Sequence, residues 1–207
     1  MTVEGIEASG KSTLLAGVAQ RLRSAGVEPV VTREPGGTAI GERLRAVLLD
    51  APGPLDPMTE LFVVCAARAE HARALIGPAL HSGGIVLCDR FADATRAYQG
   101  GGRGIDDATI VACSALAARG VQPDLTLLVD VPLELSRARV AARAVASGVP
   151  RDRMEREDDA FHARVRDRYL AIADAEPERV LVVDGSLDPG AVLARAWPRV
   201  AAAAGLS

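Results

Sequence analysis

Near the start of the chain, two glycines separated by four residues precede a lysine and a serine. The stretch consists of Gly5, Ile6, Glu7, Ala8, Ser9, Gly10, Lys11 and Ser12. Its spacing fits a phosphate-binding loop, in which backbone N–H groups surround phosphate oxygens and a following helix adds favourable charge. In such a loop Lys11, the only lysine of the chain, reaches the β- and γ-phosphates, and Ser12 binds Mg²⁺. A chance match in a chain rich in glycine and alanine is the alternative explanation.

Two pairs of charged residues follow short apolar runs. Arg33 and Glu34 lie in the turn-forming segment 32–38, and Asp89 and Arg90 end the run that begins at residue 84. Because ligands of open α/β sheets bind beyond the carboxyl ends of strands, we expect the arginines to face phosphates and the carboxylates to lie near Mg²⁺. The alternatives are an ordinary turn before a helix for the first pair and a strand-capping ion pair for the second.

Polar side chains also occur in two predicted helical segments. Thr95 and Tyr98 are three residues apart, so on a helical turn they face the same way. The glycine-rich run 99–104 predicts a very flexible loop, either a simple connection or a mobile wall of a site.

Arg68 lies in the predicted helix 57–80. It either contacts the edge of a planar ligand or is a surface arginine near Glu70.

An arginine-rich segment lies between residues 137 and 156. Its arginines are Arg137, Arg139, Arg143, Arg151, Arg153 and Arg156. The break at residues 147–150 suits a lid that closes over phosphates, excludes water and brings guanidinium groups onto the transferring phosphoryl. A solvated helical hairpin is the alternative, because neighbouring carboxylates can pair these charges.

Short β-branched runs alternate with longer helical patterns, which predicts an α/β fold with a parallel sheet. The predicted strands are 2–4, 29–32, 84–88, 124–130 and 179–183. The predicted helices are 11–25, 40–49, 57–80, 106–118, 133–146, 157–175 and 189–203. The strands are almost continuously apolar, as in sheets that are covered on both faces. The helices are therefore expected on both sides of the sheet.

Composition narrows the possible classes of function. The chain has 207 residues, a formal net charge of −3 and 3% aromatic residues. One domain is expected from this length, and neither the charge nor the aromatic content indicates a nucleic-acid partner. The three cysteines lie far apart without metal-ligand spacing, which is typical of a reducing compartment such as the cytoplasm. No run is long and apolar enough to predict a membrane span.

Taken in order, these segments resemble thymidylate kinases over almost the whole chain. The resemblance rests on the loop 5–13, TREPGGT at 32–38, AARAEH at 66–71, DRF at 89–91, AYQGGGRG at 97–104, PDLTLLVD at 123–130 and DRME at 152–155. It implies a P-loop NTPase-type five-stranded parallel sheet with helices on both faces. It also implies one nucleoside monophosphate kinase domain over 1–207, with a small arginine-rich lid at about 143–156.

The implied activity is in-line phosphoryl transfer from MgATP to dTMP, giving dTDP for dTTP synthesis, in a cytoplasmic homodimer. The implied ATP-binding residues are Gly5, Ile6, Glu7, Ala8, Ser9, Gly10, Lys11, Ser12, Thr13 and Arg139. The implied substrate-binding residues are Glu7, Arg33, Glu34, Arg68, Arg90, Thr95 and Tyr98. Ser12, Asp89 and Glu34 are the implied Mg²⁺ site. Lys11 and Arg90 are implied to be catalytic, with Arg143, Arg151 and Arg153 as candidates for a catalytic lid arginine. The resemblance also suggests a cis Glu34–Pro35 peptide.

The chain departs from the family pattern at two positions. Val64 stands where the family usually has a phenylalanine that stacks on the base, and Ala94 stands where it usually has a serine. Phe62 has the wrong helical spacing to replace that phenylalanine directly. A kinase for another nucleoside or nucleoside monophosphate is therefore one alternative, and a non-catalytic nucleotide sensor is another. A GTPase is disfavoured, because the chain lacks asparagine and hence an Asn-Lys-x-Asp guanine motif.

Overall fold

Five parallel strands in the order β2-β3-β1-β4-β5 form the centre of the fold in the computed structural model, which describes residues 1–51, 53–148 and 150–206. The strands are β1 (Thr2–Glu4), β2 (Val30–Arg33), β3 (Val86–Asp89), β4 (Thr126–Asp130) and β5 (Val180–Asp184). All five correspond to predicted strands, with ends shifted by at most two residues. The predicted α/β fold with a parallel sheet is confirmed.

Helices connect the strands and cover the sheet. They are α1 (Lys11–Ser24), α2 (Ala39–Leu49), α3 (Pro57–His71), α4 (Gly77–His81), α5 (Ala92–Thr95), α6 (Asp107–Ala118), α7 (Leu133–Ser147), α8 (Asp159–Ala175) and α9 (Pro189–Ala203). Buried aliphatic residues of α1 and α9 meet β1 and β4 in one apolar cluster, and α8 contributes to a second cluster that includes Leu128 of β4. These contacts explain why the central strands are buried on both faces.

The sheet register brings the candidate segments together. Val3 of β1 lies opposite Asp89 of β3 and Leu127 of β4, so the chain leaves all three strands at one edge. The backbone N–H of Arg90 donates to the carbonyl of Val3 at 3.0 Å, which continues the ladder one residue beyond β3. The phosphate loop and the Asp89–Arg90 pair are therefore neighbours.

The predicted helix 57–80 is interrupted by a π-helical turn at Ala72–Ile76. The N–H of Gly77 donates to the carbonyl of Ala72, which widens the helix just before Pro78. Proline has no N–H and crowds the carbonyl four residues earlier, so a wider turn relieves that clash. The chain then continues as α4.

The flexible loop predicted for residues 99–104 is wrong for most of that run. Residues Arg96–Gly102 form a second π-helical segment that continues α5. A β-carbon added at Gly102 would lie 2.5 Å from the Phe161 ring, and one added at Gly101 would lie 2.7 Å from Cβ of Arg168. These glycines allow close packing against α8, and their role is therefore contact rather than mobility.

One smaller expectation is confirmed, because the Glu34–Pro35 peptide is cis. The three cysteines are free thiols, of which Cys88 is buried and Cys65 and Cys113 are half-buried. Across the part of the chain that the structure describes, none of the helices has the length and apolar character needed to cross a membrane.

Candidate active site

A cavity of about 540 Å³ opens at the edge of the sheet where the strands end. Its walls come from the phosphate loop, the turn after β2, helix α3, the segment 89–99 and helix α7. This volume is in the range of small-molecule binding sites. Most of the residues proposed from sequence line this one space.

The phosphate loop has the backbone conformation that its glycines allow. Gly5 and Gly10 have φ values of 139° and 110°. A β-carbon at Gly5 would lie 2.4 Å from the carbonyl oxygen of Val129, so the loop can approach β4 only with glycine at this position. The ammonium group of Lys11 donates to the carbonyl of Ile6 at 2.7 Å. Burial, and secondly the nearby Arg90, lower the pKa of Lys11 to about 8.

Glu7 of the loop contacts three polar side chains, two from the segment 89–99 and one from α8. The Tyr98 hydroxyl donates to Oε1 of Glu7 at 2.5 Å, and Nη2 of Arg90 donates to the same oxygen at 3.2 Å. Nδ1 of His162 lies 3.2 Å from Oε2. Burial alone raises the pKa of Glu7, but His162, Arg90 and Lys11 outweigh it and hold that pKa well below its usual range. Glu7 is therefore ionised beside the loop.

Arg90 has a constrained position. Its backbone φ is 70°, a left-handed conformation that residues with a β-carbon adopt rarely. Its guanidinium donates to the hydroxyls of Tyr98, at 2.9 Å, and Tyr169, at 3.0 Å. The guanidinium is thus fixed on two sides at the border of the cavity.

Oxygen atoms suited to Mg²⁺ occur beside the loop. Asp89 lines the cavity, and its buried Oδ1 lacks a hydrogen-bond partner among the described residues. Ser12 also lines the cavity. The described residues contain no cluster of three or more metal-binding side chains. This arrangement fits Mg²⁺, which commonly uses one or two protein oxygens together with substrate phosphates and water.

Arg68 is buried, so the surface alternative for this residue is wrong. Its Nε donates to Glu34 at 2.8 Å, Nη1 to Ser114 at 2.8 Å and Nη2 to Thr95 at 2.9 Å. Oε1 of Glu34 lies 3.1 Å from Nδ1 of His71. Both oxygens of Glu34 are therefore occupied by side chains rather than directed to a metal position, although Glu34 borders the cavity.

The two positions that depart from the family pattern, Val64 and Ala94, both line the cavity. Phe62 is 57% exposed and is not among the residues that border it in the described parts of the chain. The aromatic surface expected on this wall is thus replaced by an aliphatic one, and Phe62 does not restore it.

The lid arginines separate into two groups. Arg139 and Arg143 line the cavity, and Arg139 donates to the carbonyl of Gly185 at 3.1 Å. Arg143 pairs with Glu155. Arg153 instead points into the protein, where it donates to Oε2 of the fully buried Glu60 at 2.7 Å.

Five predicted site residues do not border the cavity, namely Gly5, Ile6, Arg33, Arg151 and Arg153. Arg33 is half exposed and pairs with Glu42 at 2.7 Å. Arg151 is exposed. Arg153 forms an ion pair with the buried carboxylate of Glu60, because a buried carboxylate requires a cationic partner. The sequence could not separate these arginines from Arg143, since the partner of Arg153 lies 93 residues away.

The sequence patterns did not indicate three residues that support the site, namely Tyr169, His162 and Glu4. Tyr169 and His162 lie on α8 and contact Arg90 and Glu7. One signal was available, because Tyr98 and Tyr169 are the only two tyrosines of the chain. Both of them contact Arg90.

Comparisons with known proteins identify the family of this chain. The thymidylate kinase family model matches residues 3–195. A thymidylate kinase from Trichlorobacter lovleyi is 49% identical over 194 residues, covering 93% of this chain and 92% of the relative. One from Chromohalobacter salexigens is 51% identical over 196 residues, covering 94% and 91%. The crystal structure of thymidylate kinase from Ehrlichia chaffeensis superposes with a TM-score of 0.76, at 34% identity and with 96% of each chain covered. With its phosphate loop, its Asp89–Arg90 pair and these matches over nearly the full length, the chain belongs to the thymidylate kinase family.

Proposed function

We propose that this chain transfers the γ-phosphoryl group of MgATP to the 5′-phosphate of dTMP, producing dTDP for dTTP synthesis. The observation that carries this proposal is the meeting of the phosphate loop with Arg90, Tyr98 and Arg68 in one cavity. These protein groups are complementary to a phosphate donor and to an acceptor nucleotide with a planar base. Membership of the thymidylate kinase family supports the choice of dTMP.

Catalysis in this proposal is mainly positioning and charge stabilisation. The loop amides and Lys11 hold the phosphates of the donor, and Arg90 holds the phosphate of the acceptor. Two anionic groups must approach each other, so cations on both sides lower their repulsion. Arg90 lies close enough to Lys11 to lower the pKa of Lys11, which supports a shared role for the two cations.

Ser12 and Asp89 would hold Mg²⁺, and the unpartnered Oδ1 of Asp89 supports this choice. The metal would supply positive charge to the donor phosphates. Glu34 contributes through Arg68 instead, because both of its oxygens contact neighbouring side chains.

Acceptor recognition is assigned to α3, to the segment 89–99 and to Glu7 of the loop. Arg68, with Thr95 beside it, binds the edge of the pyrimidine, while Glu7 binds the 3′-hydroxyl of the sugar. The ring of Tyr98 fills the space of a ribose 2′-hydroxyl and so favours deoxynucleotides. Support comes from the hydrogen bonds that fix Arg68 and Tyr98 in place.

Arg143 is our choice for the catalytic lid arginine. It lines the cavity, is half exposed, and pairs with Glu155, another cavity-lining residue, from which a phosphate can release it. Arg139 is assigned to the nucleotide base of ATP. The lid spans about residues 143–156 of a single domain over 1–207.

We further propose a homodimer in the cytoplasm. Large apolar side chains are exposed on two helices that pack together, with Phe62 on α3 at 57% and Val111 on α6 at 54%. A second copy of the chain would cover such a face. Free cysteines are consistent with a reducing compartment.

The test is ADP release from MgATP with dTMP, dUMP, UMP, dCMP, dGMP and thymidine as acceptors. A strong preference for dTMP is expected. A flat or shifted profile would favour the second candidate, a kinase for another nucleoside or nucleoside monophosphate. Val64 and Ala94 in the cavity wall are the observation behind that candidate. Binding of ATP without transfer to any acceptor would indicate a sensor.

A further inference from the structure

Arg90 is held by a residue that belongs to none of the motifs. Nη1 of Arg90 donates to the hydroxyl of Tyr169 at 3.0 Å, across 79 residues of chain. Tyr169 is 3% exposed and is not among the described residues that line the cavity. It therefore meets Arg90 from within the protein and does not face a ligand.

The hydroxyl of Tyr169 is itself fixed by a buried carboxyl group. It donates to Oε2 of Glu4 at 2.7 Å. Oε1 of Glu4 accepts the backbone N–H of Phe91, also at 2.7 Å. Glu4 thus holds the backbone immediately after Arg90 and, through Tyr169, one side of the Arg90 guanidinium.

These contacts act on a residue with a rare backbone conformation. The φ of Arg90 is 70°, and its own N–H is fixed by the carbonyl of Val3. On the other side of the guanidinium, Nη2 donates to Tyr98 and Glu7. Loss of the Tyr169 contact would leave the guanidinium anchored on one side only, free to tilt about that anchor.

We propose that Tyr169 is a positioning residue for Arg90, and that its hydroxyl, oriented by Glu4, holds the guanidinium in the direction required by the acceptor phosphate. The inference rests on the proposed function, in which Arg90 binds that phosphate. Charged hydrogen bonds to phosphate depend strongly on geometry, so a fixed guanidinium binds more tightly than a tilting one.

The test is a double-mutant cycle with Tyr169→Phe and Arg90→Lys. Phenylalanine keeps the ring that packs edge-on against Tyr98 and removes only the hydroxyl. We expect Tyr169→Phe to lower kcat/KM for dTMP about tenfold, because a hydrogen bond to a charged group is lost, while KM for MgATP is unchanged. Calorimetric binding of dTMP should weaken by a similar factor. In the Arg90→Lys background, the same change should lower kcat/KM by less than about twofold.

Two results would overturn the inference while leaving the proposed function intact. One is a Tyr169→Phe variant with the parent's kcat/KM for dTMP. The other is an equal loss in both backgrounds, which would show that the hydroxyl acts through packing rather than through Arg90. If Arg90→Lys alone leaves dTMP binding and turnover unchanged, the phosphate role of Arg90 is wrong and the inference falls with it. Melting temperatures of all four proteins identify any variant that loses its fold.

Discussion

The hydroxyl of Tyr98 donates a 2.5 Å hydrogen bond to Oε1 of Glu7, which joins the cavity wall to the phosphate loop across 91 residues of chain. Arg90 donates to both of these groups, so three side chains form one connected unit. The guanidinium of Arg90 also lies 4.8 Å from the centre of the Tyr98 ring. The position of that ring is therefore determined by charge as well as by packing.

The fixed ring leads to a prediction about sugar selectivity. Tyr98→Ala should admit UMP better, because the volume that excludes a 2′-hydroxyl is lost. The ratio of kcat/KM for dTMP to that for UMP should fall by about tenfold. Tyr98→Phe is the matched control, since it keeps the ring and should keep the ratio. An unchanged ratio in the alanine variant would show that another group excludes the 2′-hydroxyl.

Lys11→Ala should remove most turnover while leaving the fold intact. The loss should be on the order of a hundredfold or more in kcat, as for other groups that stabilise charge in the transition state. Steady-state rates with saturating MgATP and dTMP measure the loss, and circular dichroism checks the fold. Activity near the parent level would contradict the assignment of the loop as the donor site.

The lowered pKa of Lys11, about 8, gives a pH dependence. In the free enzyme the ammonium is charged below this pH and neutral above it, so kcat/KM for MgATP should fall as the pH rises through about 8. Arginine keeps its charge in this range, and Lys11→Arg should therefore lack the fall even if its overall activity is lower. A fall at the same pH in both proteins would assign the titration to another group.

Arg143 and Arg153 should respond in opposite ways to alanine substitution. Arg143→Ala should lower kcat on the order of a hundredfold without a change in melting temperature, because its one ionic partner among the described residues is a lid carboxylate. Arg153→Ala should instead destabilise the fold by about 3 kcal/mol, because Glu60 is fully buried and loses one of its cations. Denaturation curves and kcat for the two variants separate these roles. A stable Arg153→Ala protein with low kcat would reverse the assignment.

The glycine run provides a test of packing. Gly102→Ala should lower the free energy of unfolding by about 1–3 kcal/mol, because the new methyl group meets the Phe161 ring. At Gly100 the nearest atom to an added β-carbon is 3.8 Å away, so Gly100→Ala should be tolerated. Urea denaturation measures both variants. Equal stability for the two proteins would contradict the close packing of Gly102 against Phe161.

Local sequence patterns were sufficient to predict the sheet and many of the residues that line the cavity. The spacing of Gly5, Gly10 and Lys11 defines a loop by itself, and strand ends in a parallel sheet meet at one edge, so Asp89 and Arg90 were placed beside it. The family resemblance was then confirmed by comparison with known proteins.

The remaining features depend on partners far along the chain. Nothing near Arg153 reveals that its carboxylate, Glu60, is 93 residues away, and nothing near Tyr169 reveals Arg90. The glycines at 101 and 102 have the same composition as a flexible loop, and only the neighbouring helix α8 shows that they allow close packing. These are tertiary contacts, which periodicity along the sequence does not encode.

The single lysine makes this protein unusually simple to label. A reagent that acylates primary amines has one side-chain target in the chain, and that target lies inside the phosphate loop. Because the pKa of Lys11 is lowered to about 8, a useful share of its amine is unprotonated and nucleophilic close to neutral pH. A phosphate bound in the loop would cover that amine. The extent of acylation at Lys11, measured separately from that of the Met1 α-amino group, would therefore report on how much of the protein carries nucleotide.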